Sequence, residues 1–291
     1  MRTWGWIRIA AVTAVDCLLA YELLGTVGAA AIVIAVLIYA WLGEQIDLLK
    51  DGAVKIENLN EVDKDRMTCL REYLVEDVRR TSNIDLSGLR LHIVPSNVPN
   101  AFTYGFTNIA LTRPALESCD DATLCAVLSH EASHLLCLDA VFKRIMFANV
   151  TALLLSVSVS CLISMSFLWI GFLVLAFMCG FFRGFFGIML FRGVVKIIKG
   201  IYTFIQYGIL FIYGSVMGFV SRNSEYRADS YSCRLGYGRE LQYYLERFSD
   251  QQEQGFQSLH EILYTSHPST FKRIARIEQE IISTPSDRTS A

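Results

Sequence analysis

Apolar positions along the chain gather into two long blocks, with polar-patterned stretches between and after them. The first run extends from Ile9 to Leu42 and carries Asp16 and Glu22. A bilayer-crossing helix takes about 20 apolar residues. The run therefore holds two short spans turning near Gly25–Gly28, or one good span from Gly25 to Leu42. Trp4, Trp6 and Trp41 stand where interfacial aromatic anchors belong. Charges are costly in lipid, so Asp16 and Glu22 are expected to face a protein interior, an interface or a turn at the bilayer surface. A cleaved signal peptide is not expected, because the stretch is too long and no small-residue site leads into polar sequence. The second block, Ile145 to Val220, is interrupted by Arg183, Arg192, Lys196 and Lys199. Its later part, Ile201 to Val220, has the length of one span; Ile145 to Phe182 is long for one and short for two.

The remaining segments carry helix and strand periods. Val62, Met67, Leu70, Leu74 and Val78 predict a helix over Glu57–Ser82. Leu89–Val94 and Asn108–Thr112 read as short strands, with a turn-rich connection Pro95–Asn100 after the first. Ser118, Asp120 and Asp121 offer N-cap chemistry for a helix running to Leu138. Beyond the second block, a helix is expected from Arg239 to Tyr264, then His267-Pro268, a closing helix to Ile282 and a polar tail. The chain thus divides into membrane segments at 1–42, a polar domain begun at 43–144, further membrane helices at 145–220, and completion of the polar domain at 221–291.

Composition agrees with that division. The chain is 53% hydrophobic and 19% charged, against about 45–50% and about 25% in soluble domains. The excess lies in the two blocks, which excludes an ordinary water-soluble enzyme; with only five prolines, disorder is excluded as well. A net charge of -2 gives no general attraction for nucleic acid. The eight cysteines include no C-x-x-C pair and read as free thiols, suited to a reducing compartment.

The strongest chemical signal is His130-Glu131-Ala132-Ser133-His134. On a helix, residues four apart share a face, so both imidazoles reach one cation while Glu131 addresses a water beside it. Zinc suits this pair, and one zinc per chain is expected; catalytic zinc takes three protein ligands and keeps one position open. Beyond the second block, Glu225 and Asp229 are also four apart. One carboxylate would bind the metal, and the other would accept an N–H from a ligating imidazole.

With these words on the page, the sequence resembles the HtpX family of membrane zinc metalloproteases, and more distantly the CAAX prenyl endopeptidases. The matching words are Asn100-Ala101-Phe102, His130–His134 with Asp139 five further on, Ser221-Arg222, Glu225, Ala228-Asp229, Ser266-His267-Pro268 and Arg273-Ile274. The resemblance implies a mainly α, membrane-embedded fold: a zincin-type helical metalloprotease domain with a small β-sheet and about four transmembrane helices. It implies that His130, His134 and Glu225 bind zinc, that Glu131 activates water, and that Asp229 and Asp139 support the ligands. It also places Asn100 against substrate and His267 as a stabiliser of the tetrahedral intermediate. Read from the residues alone, Asn100 is equally a turn residue and His267 a helix cap. His92 and His260 have no supporting pattern and read as structural.

An extended peptide is expected to pair with a strand edge near Asn108–Thr112. For His134 and Glu225 to meet, the chain between them must cross the bilayer an even number of times. The balance of basic residues favours a cytoplasmic active site, and the resemblance implies a multi-pass protein of a bacterial inner or cell membrane. Two other classes remain in view: a metalloprotease receptor of the antirepressor type, and a non-catalytic protein with structural zinc. The receptor would need a sensor domain, and a structural site has no use for Glu131. Sequence does not define the substrate or the oligomeric state.

Overall fold

A glycine sets the first turn. Helix α1 (Arg2–Leu24) stops at Gly25, which takes φ +62, and α2 (Thr26–Lys50) begins at once. A residue without Cβ adopts this left-handed conformation at little cost. A Cβ on Gly28 would lie 2.1 Å from the Ala20 carbonyl oxygen, so α1 and α2 form a close-packed hairpin. The computed structural model describes residues 2–179, 185–253 and 268–283. Packing separates two compact units. One comprises Met1–Arg8, Ala40–Arg144 and Val216–Ala291 over their described residues; the other comprises Ile9–Tyr39 and Ile145–Ser215.

The second unit is helical. Its long elements belong to α6 (Asp139–Cys179) and α7 (Phe185–Arg234). By length and composition both are able to cross a membrane. A third candidate arises if Thr26–Ala40 and Leu42–Lys50, bent by 53°, count as one span. The apolar window of α6 has no buried share, and Phe177 and Phe204 are each 78% exposed, as expected of surfaces solvated by lipid. Between the helices, the Ser160 and Ser164 hydroxyls lie 3.2 and 3.0 Å from the Tyr202 hydroxyl. Of the two early acidic residues, Glu22 is exposed and Asp16 is buried. Asp16 accepts from Asn149 Nδ2 at 2.7 Å and from the Tyr213 hydroxyl, so it faces the interior of this unit.

The other unit packs helices on a small sheet of order β1-β2-β4-β3, made of Val54–Lys55, Arg90–Val94, Asn108–Thr112 and Ala101–Tyr104. Strands β2 and β4 run parallel; β1 and β3 pair antiparallel outside them. Parallel strands are shielded on both faces, and every residue of β4 is buried. Leu91, Ile93, Ile109 and Leu111 join Met67, Leu70, Leu74 and Val78 of α3 (Glu61–Ser82) and Leu124, Leu128 and Leu135 of α5 (Asp121–Leu136) in one core. A short helix, α4 (Arg113–Ser118), follows β4. Helices α8 (Gly238–Glu253) and α9 (Thr270–Ser283) pack Leu241, Leu245 and Ile277 against Ala126 of α5.

Several expectations shift. The α3 helix starts at Glu61, after a single 3-10 turn at Ile56–Asn58, because Asn60 caps it by accepting from the Asp63 N–H at 2.9 Å. Val62 lies off the buried face at 78% exposure. Strands β1 and β3 were not among the expected elements; both are too short for alternation to mark them. Most consequentially, Asn108–Thr112 cannot offer a strand edge, since β4 is paired on both sides. Among the described residues the sheet ends on β1 at one side and on β3, Ala101–Tyr104, at the other, and β3 is the edge next to the strand expected to offer one.

Candidate metal centre

Helix α5 is capped by Asp120, whose carboxylate accepts from the Thr123 N–H at 2.9 Å. It carries His130 and His134 on one face, 7% and 8% exposed. The helix ends at Leu136. Leu138 then takes φ +58, turning the chain so that Asp139 opens α6. A carboxylate at a helix start is favoured by the peptide dipoles. Small side chains let α5 and α7 approach: Ser129 donates to Ser232 at 2.6 Å, the Ser232 hydroxyl reaches the Ala126 carbonyl at 3.1 Å, and Ala228 is fully buried. This close contact brings Glu225 and Asp229, one helical turn apart on α7, to the two rings.

The resulting geometry is convergent. His130 Nε2 lies 3.2 Å from His134 Nε2 and 3.4 Å from Glu225 Oε2, and His134 Nε2 lies 3.6 Å from Glu225 Oε1. One donor atom from each of the three residues falls within 4.8 Å of the others. The far nitrogens face carboxylates: His130 Nδ1 is 3.0 Å from Asp229 Oδ1, and His134 Nδ1 is 3.0 Å from Asp139 Oδ2. With His134 Nδ1 protonated and bonded to Asp139, its Nε2 presents a lone pair to the common point, while His130 Nδ1 lies close to Asp229 without a formed hydrogen bond.

Two nitrogens and a carboxylate, all buried, with second carboxylates behind the rings, match the donor set of a zinc site. The electrostatics agree. Burial works against the charged form of His130, yet Asp229 and Glu225 beside it carry its pKa up to about 9. The same carboxylates would favour a cation here, which must displace a proton from His130 to bind.

Basic side chains brace the carboxylates from outside. Arg273 of α9 is 8% exposed and donates to Asp229 through Nε at 2.8 Å and Nη2 at 2.6 Å; its Nη1 lies 3.2 Å from Glu225 Oε2. Asp139 accepts from Arg8 Nη2 at 3.0 Å and from Arg227 Nη2. Arg8 also donates to the Cys137 carbonyl at 2.8 Å. Burying these carboxylates without partners would be costly, and bidentate guanidinium contacts offset that cost. In the sequence Arg273 is a motif residue without an assigned role, and Arg8 and Arg227 read only as basic residues near span ends. Their work depends on contacts 131, 88 and 44 residues apart in the chain, which spacing does not reveal.

Of the other expected residues, Asn100 stands just before β3. Its N–H donates to Thr112 Oγ1 at 2.8 Å, and its own Oδ1 accepts from the Ala101 N–H at 2.9 Å. Glu131 is half-buried beside β3. His92 is buried, 2.8 Å from Asn108 Oδ1, in keeping with the structural reading. His267 and His260 lie outside the described residues.

Two histidines four apart on one helix and a glutamate from a distant helix thus form a group able to hold a metal ion, with Glu131 following His130 in the chain and outside that group. The chain belongs to peptidase family M48, whose model matches residues 70–281. HtpX and the Ste24/CAAX proteases are both members, so the resemblance read from the motifs holds at family level. Family M48 metalloproteases use zinc. No curated protein matches the chain. Among solved structures, the crystal structure of Ste24p from S. mikatae is similar at 18% identity and a TM-score of 0.49, over 92% of this chain and 62% of that one. The chain thus spans less than two thirds of that protein's length.

The carboxylate behind His134 gives a direct prediction. Asp139→Asn removes the charge that fixes the ring's tautomer and leaves Arg8 and Arg227 without their anion. Zinc affinity is expected to fall by about 10–100-fold, measured by competition with a chromophoric chelator; an unchanged affinity would show that Asp139 does not support the ligand.

Proposed function

We propose that this protein is a zinc-dependent endopeptidase of a bacterial cell membrane, with its active site on the cytoplasmic side, that hydrolyses membrane or misfolded proteins. The observation that carries the reading is the convergence of His130, His134 and Glu225 on one point, with Glu131, the residue after His130 on the same helix, outside that set. Zinc held there would supply Lewis acidity, polarising the scissile carbonyl and acidifying a water.

The chain's own residues then divide the work. Glu131 takes a proton from the attacking water and delivers it to the leaving amine. Asp229 and Asp139 orient the imidazoles, and Arg273 holds Asp229 and Glu225 against mutual repulsion. His267 donates to the developing oxyanion. The substrate lies extended along the open edge of β3, where backbone pairing gives loose sequence preference, and Asn100 contacts it at the start of that strand. Helices α6 and α7 would cross the membrane and return the chain to the side from which it left, and the bent α2 would add a third span.

The test is cleavage of an unfolded, casein-like protein by the purified chain in detergent. Hydrolysis is expected to stop on treatment with a zinc chelator and to return on addition of zinc. Hydrolysis that persists in metal-free protein would rule the reading out.

A further inference from the structure

Strand β3 reaches the active-site helix through one hydroxyl. Thr103 Oγ1 lies 2.7 Å from Glu131 Oε2 and 2.9 Å from the Glu131 backbone oxygen. These are the distances of formed O–H···O bonds, and a bond to a charged acceptor is roughly twice as strong as one between neutral groups. Alternation along the strand sends Thr103 towards α5 and Phe102, 37% exposed, to the other face. The neighbouring Tyr104 is tied down as well, its hydroxyl donating to Asp51 Oδ2 at 2.6 Å.

The backbone of the same residue faces elsewhere. The Thr112 N–H donates to the Asn100 carbonyl at 2.9 Å, which marks that pair as a hydrogen-bonded one. In an antiparallel ladder such pairs alternate. Continuing the register, Phe102 opposite Ala110 and Tyr104 opposite Asn108 turn their peptide groups towards β4. Thr103, opposite Ile109, turns its N–H and C=O to the open edge.

We infer that Thr103 is a positioning residue that ties the substrate-pairing strand to the general base: its backbone offers the edge for an extended peptide while its hydroxyl holds the Glu131 carboxylate in register with that peptide. The inference rests on the endopeptidase reading and on Glu131 as its base. A residue that only finished the end of a helical turn would bond the backbone oxygen alone; the carboxylate contact is what the positioning role adds. Without the hydroxyl, Glu131 would remain beside the site but lose the contact that fixes its carboxylate, so turnover should suffer more than substrate or metal binding.

The experiment compares Thr103→Val, which keeps shape and strand preference, with Thr103→Ser, which keeps the hydroxyl. Steady-state cleavage, zinc content and an experimental structure of the valine variant are the readouts. Thr103→Val is expected to lose about 10–100-fold in kcat with KM and zinc content held, to show the Glu131 carboxylate displaced from β3, and to be rescued by serine. Thr103→Ala, which adds no bulk, should repeat the loss and covers the case in which valine misfolds. Wild-type kcat in both hydroxyl-less variants, a loss confined to KM or zinc, or an unmoved Glu131 would overturn the inference. Glu131→Gln is run alongside. If it too cleaves like wild type, the choice of base has failed; if it is dead while Thr103→Val is active, only the role of Thr103 has.

Discussion

Glu131→Gln is expected to lower kcat/KM by about 10²–10⁴-fold, the range assigned to general acid–base catalysis, while zinc stays bound. The amide is close in size to the carboxylate and keeps an oxygen that can accept from Thr103 Oγ1, now 2.7 Å from Glu131 Oε2. What it loses is the ability to take a proton from water. Because Glu131 lies outside the convergent set of His130, His134 and Glu225, the metal has no reason to leave. The result is read by peptide cleavage and by zinc content on the same preparation. Wild-type turnover with zinc in place would remove Glu131 from the chemistry. Loss of zinc together with turnover would mean that Glu131 belongs to the ligand set, making the centre a closed structural one.

Much of this centre was legible in the sequence, for identifiable reasons. His130 and His134 share a helix face through local periodicity alone, and the same rule pairs Glu225 with Asp229. That the two pairs meet is tertiary information, and only the demand for a third ligand pointed to it. The serines and alanine that permit the approach, Ser129, Ser232 and Ala228, look unremarkable in a row of letters; their value appears when a neighbouring helix needs the space. Arg8 was the least visible. It sits at the border of an apolar run, where a basic residue reads as a membrane anchor, yet it reaches Asp139 within the same compact unit. The sheet shows the same limit. Strands β2 and β4 were long enough to read. β3 was not, and the open edge was consequently assigned to the strand beside it.

The second large effect concerns the ligand that joins the two halves of the polar unit. Glu225→Ala should weaken zinc binding by more than about 100-fold, beyond what loss of an outer carboxylate costs. Two imidazoles remain, but catalytic zinc takes three protein ligands, and Arg273 Nη1, 3.2 Å from Glu225 Oε2, would then face the site without that counter-charge. Truncation thus removes a ligand atom and leaves the local field less hospitable to a cation at the same time. Glu225→Gln separates the two effects, since it keeps an oxygen donor and gives up the charge; an intermediate affinity is expected. Equilibrium dialysis against a buffered zinc series measures both variants, with Glu131→Gln as the metal-retaining control. If Glu225→Ala held zinc as tightly as wild type, the third ligand would have to be another carboxylate. Asp229 is the neighbouring carboxylate, but it lies against His130 Nδ1, the far nitrogen of that ring, and is held there by Arg273 Nε and Nη2, so it would have to move to reach the common point.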